Sequence, residues 1–366
     1  VISVEASEDE LALAEITIPE MLEISPYPYT TAITGKWHLK SFSEESVATN
    51  PLDQGFDYHA GPLANPGNSL YDSEGSVDYF HWEKSINGEV AFTDTYLTTD
   101  TTNEAIGQIK SMPEPWFLYV PYNAPHEPVH EPPEDLYTTP LELGSELALY
   151  NAMMESVDTE IGRLLASIPE EVRKRTTIMV IGDNGTPEFA IEKPWDSTRN
   201  KGSLYEGGVR VPWVVSGPFV RQGGKVVDSQ IHLVDVFSTV AQIAEVDLEL
   251  LGPAETPLTL DGRSLLPHLV SPGLYTGRLF SYNERFVPNG PPPYDTHERS
   301  IRNDHWKYVR SWNGQAYSDA LYNMEVDLWS EGENLLLQPT LGIEATQALG
   351  RMKSTMTWYE ENLDFD

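Results

Sequence analysis

Three short runs in this chain are apolar on both faces: 116–120 (WFLYV), 176–181 (TTIMVI) and 211–216 (VPWVVS). A strand of that kind has to be covered on both sides, which is the situation of a parallel sheet inside an α/β protein. Segments with helical spacing lie between and around the runs, at 99–110, 147–166 and 232–244. In the second, Leu149, Met153, Val157, Ile161 and Leu164 fall on one face. The alternation predicts a mainly parallel sheet sandwiched by helices. A strand is expected at 29–34, preceded by a helix at 10–22 that Pro19 disturbs. The stretch 41–89 reads as a long irregular loop, of a length usually reserved for function. After Pro272 short aromatic strands follow, at 278–282, 306–310 and 320–322, and then a last helix at 343–362. The expected organisation is an α/β domain over 1–272 and a small α+β subdomain over 273–366.

Composition narrows the partners. Among 366 residues, 57 are acidic and 23 basic, a formal net charge of -34. Such a surface repels nucleic acid and anionic membranes, so an anionic ligand needs a local cluster of cations. There are no cysteines, which excludes disulfides, zinc–thiolate sites and a cysteine nucleophile within this sequence. No run approaches the ~20 apolar residues of a membrane span. The opening VISVEASEDE has neither an initiator methionine nor the character of a signal peptide, and reads as the continuation of something longer.

Ligands in open α/β sheets bind beyond the carboxyl ends of the strands, and the residues there are polar. The first strand is followed by Gly35-Lys36-Trp37-His38, and WFLYV by a loop ending in Ala124-Pro125-His126. TTIMVI runs into Gly182-Asp183-Asn184-Gly185, and a glycine-bearing segment from Lys201 to Arg210 leads into VPWVVS. If the chain stays extended, Lys36 and His38 share a face, pairing a fixed cation with an imidazole that titrates near neutrality. The competing reading is a snorkelling lysine and a core histidine. Asp183 and Asn184 offer two hard oxygen donors suited to Ca²⁺ or Mg²⁺, or else a plain Asx turn. Glu206 and Arg210 read as braces for the glycine-rich segment. His59, His130, His232, His268 and His305 read as surface or core residues, with His130 near enough to His126 to line a pocket. Tyr71, Tyr79, Phe80 and Trp82 either shape that pocket or pack.

Four motifs, TAITGKWHL, YVPYNAPHEP, VIGDNGT and KGSLYEGGVRVP, occur in that order. With them the chain resembles the sulfatases of the arylsulfatase type, within the alkaline-phosphatase-like superfamily. Softer matches such as GFDYHAGP and LDGRSLLPHL extend the resemblance over nearly the whole length. It implies hydrolysis of sulfate monoesters, assisted by one Ca²⁺ and a formylglycine. It implies Asp183 and Asn184 as metal ligands and Lys36, His38, His126 and Lys201 as catalytic residues. Lys36 would contact formylglycine and sulfate, and His38 would lie beside the formylglycine. His126 and Lys201 would hold the sulfate and assist the leaving oxygen.

The sequence departs from the family in one respect. The Asp-Asp metal pair and the Cys-x-Pro-Ser-Arg nucleophile segment, which normally come first, are not in it. The calcium site is therefore incomplete in this chain, and the formylglycine is expected in a preceding segment. An inactive sulfatase-like binding protein or truncated fragment is one alternative. A phosphonate or phosphodiester hydrolase of the same superfamily is another, disfavoured because those relatives tend to place histidine where Asn184 stands. The implied ligand is a sulfated small molecule or carbohydrate. A homo-oligomer or partner chain is expected to cover the sheet edge left open. Family habit and acidity point to a secreted or periplasmic protein.

Overall fold

The computed structural model describes residues 11–39, 45–66, 78–251, 260–273, 277–288 and 293–362; Tyr71 lies outside them. The first helix, α1 (Ile18–Glu23), begins later than its apolar pattern suggests. Thr17 and Glu20 form a reciprocal capping box, and Pro19 sits in the first turn, where its missing N–H costs nothing. Pro19 thus starts the helix and does not break one. Next come β1 (Thr30–Thr34), the short α2 (Asn50–Asp53), β2 (Tyr58–Gly61), β3 (Trp82–Ile86), β4 (Glu89–Thr93), α3 (Leu97–Ser111) and β5 (Trp116–Tyr119). These strands form one sheet in the order β4-β3-β2-β1-β5. Its central trio β2-β1-β5 is parallel, and β3 and β4 join antiparallel at one side. The β3–β4 hairpin lies within the stretch expected to be irregular. Its turn is Asn87-Gly88, both at positive φ (50° and 92°), the conformation that two-residue hairpin loops require.

The long α4 (Glu146–Ser167) is capped by Ser145, whose hydroxyl accepts from the Ala148 amide. After it come α5 (Glu170–Arg173), β6 (Ile178–Ile181), α6 (Glu206–Val209), β7 (Trp213–Ser216), α7 (Asp235–Ile243) and α8 (Leu266–Val270). β5 and β6 lie over the same helical layer. Trp116, Leu118 and Ile178 share a cluster with Ala105 and Ile109 of α3 and Leu164 of α4. Here the strand-helix alternation misleads. β7 pairs with β6 antiparallel, Ile181 opposite Trp213, as a separate two-stranded ribbon. The connection carries no helix longer than the four residues of α6, too little for a parallel crossover.

The molecule is nonetheless mixed α/β with a central, mostly parallel sheet. The C-terminal part is an antiparallel sheet of β8 (Ser281–Val287), β9 (Thr296–Arg302), β10 (Trp306–Trp312) and β11 (Tyr317–Asn323), order β11-β10-β9-β8. β9 (THERSIR) lacks the aromatic signal that marks its neighbours in the sequence. The last helix, α9 (Ile343–Asn362), lays Ala345, Met352 and Met356 over Ile301, Tyr308 and Leu321. No helix among the described residues is long and apolar enough to cross a membrane.

Candidate active site

The exit of β1 is held between the exits of its two neighbours. Gly35 N–H donates to Ala60 O (2.8 Å), Lys36 to Pro121 O (2.9 Å), Trp37 to Pro62 O (3.1 Å) and His38 to Leu63 O (2.9 Å). Gly35 sits at φ 123°, and a Cβ there would lie 2.3 Å from Pro121 O, so only glycine lets the strands converge this closely. Between Lys36 and His38, Trp37 turns into the core beside Ile33 and Phe56, and its indole N–H donates to Asn50 Oδ1 at 2.9 Å. The expected extended course ends at His38, which adopts φ 55°. A left-handed histidine is a sparsely populated state that the surroundings must enforce, and such states gather at functional sites.

His126 is fixed from three sides. Its N–H donates to Asn123 O, its carbonyl accepts the Tyr79 hydroxyl at 2.8 Å, and its Nδ1 lies 3.0 Å from Glu127 O. With the proton on Nδ1, Nε2 is left available. On the other side of the site, two loops are zipped together: Gly182 N–H donates to Pro212 O, Gly185 to Gly208 O and Lys201 to Thr186 O. At Gly185 a Cβ would fall 1.8 Å from Gly207 O. The glycines therefore let the Asp183-Asn184 turn lie directly on the segment that carries Lys201.

Electrostatics tie these pieces together. The Lys36 ammonium is pushed down to about 8, chiefly by burial, with Asp183 opposing and Lys201 reinforcing the shift. His38 is lowered to about 4 by burial, then by Lys36 and His126. His126 is also lowered, by burial first; its contact with Glu127 O opposes this, and Lys36 and Lys201 add to it. Lys36, His38, His126, Lys201 and Asp183 thus feel one another across three strand ends and one loop. Two of these five groups are cations, on a molecule of charge -34. At neutral pH both histidines are uncharged. The Nε2 of His38 is buried with no partner among the described residues, so it has spare hydrogen-bonding capacity.

Asp183 and Asn184 are exposed, and the Asn184 amide donates to Asp183 Oδ1 at 3.1 Å. Both donors are hard oxygens, which fits calcium in kind. Calcium takes about six to eight oxygen ligands, and no group of three acidic or histidine side chains among the described residues could hold a metal. The pair supplies part of a shell and does not close one.

Other residues take structural places. Tyr79 and Trp82 are buried, at 1% and 2% exposure, while Phe80 is 40% exposed. His130 packs 4.3 Å from Tyr79, and both its nitrogens have partners, Pro128 O and the Tyr96 hydroxyl. His59 and His268 are buried, His232 pairs with Asn283, and His305 with Glu325. One neighbour enters the sequence reading only as part of the polar loop after WFLYV, with no role of its own. Asn123 is buried in the His126 loop, donates to Ala64 O, and leaves Oδ1 without a partner among the described residues. Its place three residues before His126 was the available signal.

Lys36, His38, His126 and Asp183 thus stand beyond the strand ends of a mixed α/β fold, with Lys201 on the adjoining loop, the place where such folds carry their sites. The chain belongs to the sulfatase family, whose model, described as Sulfatase, matches residues 4–246. It is 27% identical over 353 residues to the uncharacterized sulfatase YdeN of Escherichia coli (strain K12), covering 87% of this chain and 59% of that protein. It is 26% identical to arylsulfatase J of Mus musculus, covering 74% and 44%. Among solved structures it resembles Ps i-CgsB in complex with k-i-k-neocarrahexaose, with TM-score 0.75, 23% identity, and 98% of this chain and 77% of that one covered. The chain spans about half the length of the curated relatives it matches.

Proposed function

We propose that the full-length protein hydrolyses sulfate monoesters at the rim formed by Lys36, His38, His126 and Lys201. The observation that carries this reading is the mutual electrostatic influence of these four residues and Asp183. Lys36 and Lys201 hold the sulfate oxygens and offset the charge that grows on them in the transition state. His126, its Nδ1–H committed to Glu127 O, acts as an acid only after a second proton binds at Nε2; the bound sulfate anion favours that imidazolium, which then gives the Nε2 proton to the leaving oxygen. His38, uncharged at neutral pH, takes up a proton at Nε2. Asp183 and Asn184 would hold a calcium ion as part of a larger oxygen shell. A bound calcium and a formylglycine would supply charge neutralisation and the nucleophile. Both histidines must start in the right protonation state, so their depressed pKa values matter to the role of each.

The substrate class we infer is a sulfated carbohydrate. It is supported by relatives named N-acetylgalactosamine-6-sulfatase, 28% identical in the rat, and by a similar fold solved with D-glucosamine-2-N,6-O-disulfate. We also infer that an extended strand, from elsewhere in the full protein or from a partner chain, lies between β5 and β6. These two strands share one helical layer, and neither has a second partner strand among the described residues. Export from the cytoplasm suits the acidity.

The test is sulfate release from 4-nitrophenyl sulfate and sulfated sugars by the full-length protein, with 4-nitrophenyl phosphate alongside. Lys36→Ala and Lys201→Ala should each lower kcat/KM by about 10²–10³. Turnover of the phosphate ester alone would favour the phosphoester reading, and binding of sulfated sugar without release would mark an inactive binder. Unchanged rates in both variants would remove these lysines from the mechanism.

A further inference from the structure

A cluster of buried charge flanks the Lys201 segment, and no step of the proposed reaction uses it. Glu206 is 1% exposed at the start of α6. Its Oε1 accepts from Lys307 Nζ at 3.0 Å and its Oε2 from Arg302 Nη1 at 2.7 Å. Lys307, equally buried, also donates to Glu331 Oε1 at 2.9 Å. Glu331 in turn accepts the backbone N–H of Glu206 through the same oxygen. Arg199 closes the ring. It donates to the Ser330 carbonyl, stands 3.6 Å from Glu331 Oε2, and stacks 4.6 Å over Tyr205 and 5.0 Å over Tyr322. Lys307 and Arg302 come from the C-terminal sheet, and Glu331 from the turn that follows it.

These contacts fall on both sides of Lys201, at Arg199 two residues before it and Glu206 five residues after it. Between these points the Lys201 N–H donates to Thr186 O, and just beyond them Gly208 O accepts from the Gly185 N–H, so backbone bonds join the segment to the Asp183-Asn184 turn. Buried charges cost much to desolvate, and removing one partner leaves the others uncompensated. Such a cluster therefore admits one arrangement of its members and transmits that arrangement to whatever is attached. Glu331 even adopts φ 55° to take part, a strained state for a non-glycine residue.

We propose that Glu206, Lys307, Glu331 and Arg199 are positioning residues through which the C-terminal sheet sets the place of Lys201 at the anion site. The inference rests on the sulfate reading for what Lys201 does, but not for where Lys201 is held. The C-terminal part then belongs to the site's construction.

The experiment uses the chain as described, with two variants: Lys307→Met, which removes the shared cation, and Arg199→Lys, which keeps the charge but loses the planar fork and its stacking, and keeps the test open should the first fail to fold. Hydrogen exchange followed by mass spectrometry should show faster exchange over 197–205 and 182–187 in both variants, with 30–36 unchanged. Sulfate affinity is read in parallel. Each variant should weaken it by about tenfold in the native background and not at all in a Lys201→Met background, as residues acting through one partner do not add. Unchanged exchange over 197–205, or faster exchange spread evenly over the chain, would overturn the proposal. Should Lys201→Met alone leave sulfate binding untouched, the sulfate reading fails, while the exchange result still decides the positioning.

Discussion

At the scale of single residues, Lys36 carries the sharpest consequence. Its folded pKa of about 8 lies below the ordinary 10.5, with burial the main cause. The unfolded chain binds the proton more tightly, so stability falls as pH drops from 10.5 through 8, and the full penalty is present at neutrality. That penalty is up to about 3 kcal/mol. A bound anion favours the ammonium and relieves it. Sulfate should therefore raise the melting temperature at pH 7 more than chloride of equal ionic strength does, and the excess should fade as pH passes 8 towards 9. An excess that stays constant to pH 9 would mean that sulfate does not meet Lys36. His38 makes a separate contribution. Lowered to about 4, it costs nothing above 6.5 and destabilises the fold as pH falls from 6.5 towards 4. Lys36 itself was legible from GKWH. The left-handed turn at His38 was not, because a positive φ outside glycine is imposed by neighbours that sequence adjacency does not reveal.

At the scale of elements, the site depends on backbones lying close together. Gly185→Ala drives a methyl group into Gly207 O. It should separate the two loops, costing at least about 1–3 kcal/mol by urea unfolding and weakening sulfate binding. Full stability in this variant would refute the close approach. The β6–β7 ribbon makes a second prediction. Val180 and Val214 pair across it, at 41% and 62% exposure, next to an edge without a partner strand among the described residues. Light scattering should find concentration-dependent association of this chain, reduced by Val214→Lys; association unaffected by the lysine would place the contact elsewhere. Helices with regular apolar spacing, α4 and α9 above all, were readable from the sequence. The β3–β4 hairpin could have been, since Asn87-Gly88 is a strong turn signal, but its polar strands WEKSI and EVAFT lack clean alternation. The antiparallel setting of β7 was hidden because buried strands look alike whichever way they run.

For the whole molecule, the excess of acidic residues governs behaviour. A charge of -34 repels itself in the compact state, and the screening length shrinks from about 30 Å at 0.01 M salt to about 3 Å at 1 M. Raising sodium chloride from 0.01 M to 0.5 M should therefore raise the melting temperature; a fall would show that attractive pairs such as those at Glu206 outweigh the repulsion. The C-terminal sheet was expected as a separate small subdomain, and its strands were largely visible as aromatic runs. Its ion pairs with Glu206 were not visible. Lys307 meets partners 101 and 24 residues away in sequence, and no local pattern marks a lysine as buried. The central claim is that the lysines and histidines at the strand ends form one anion site. Crystals of this chain soaked in tungstate, a heavy analogue of sulfate, test it most directly. Anomalous density should appear among Lys36, His126 and Lys201 and vanish in Lys36→Met crystals; density only at other surface positions, or unchanged in the variant, would contradict it.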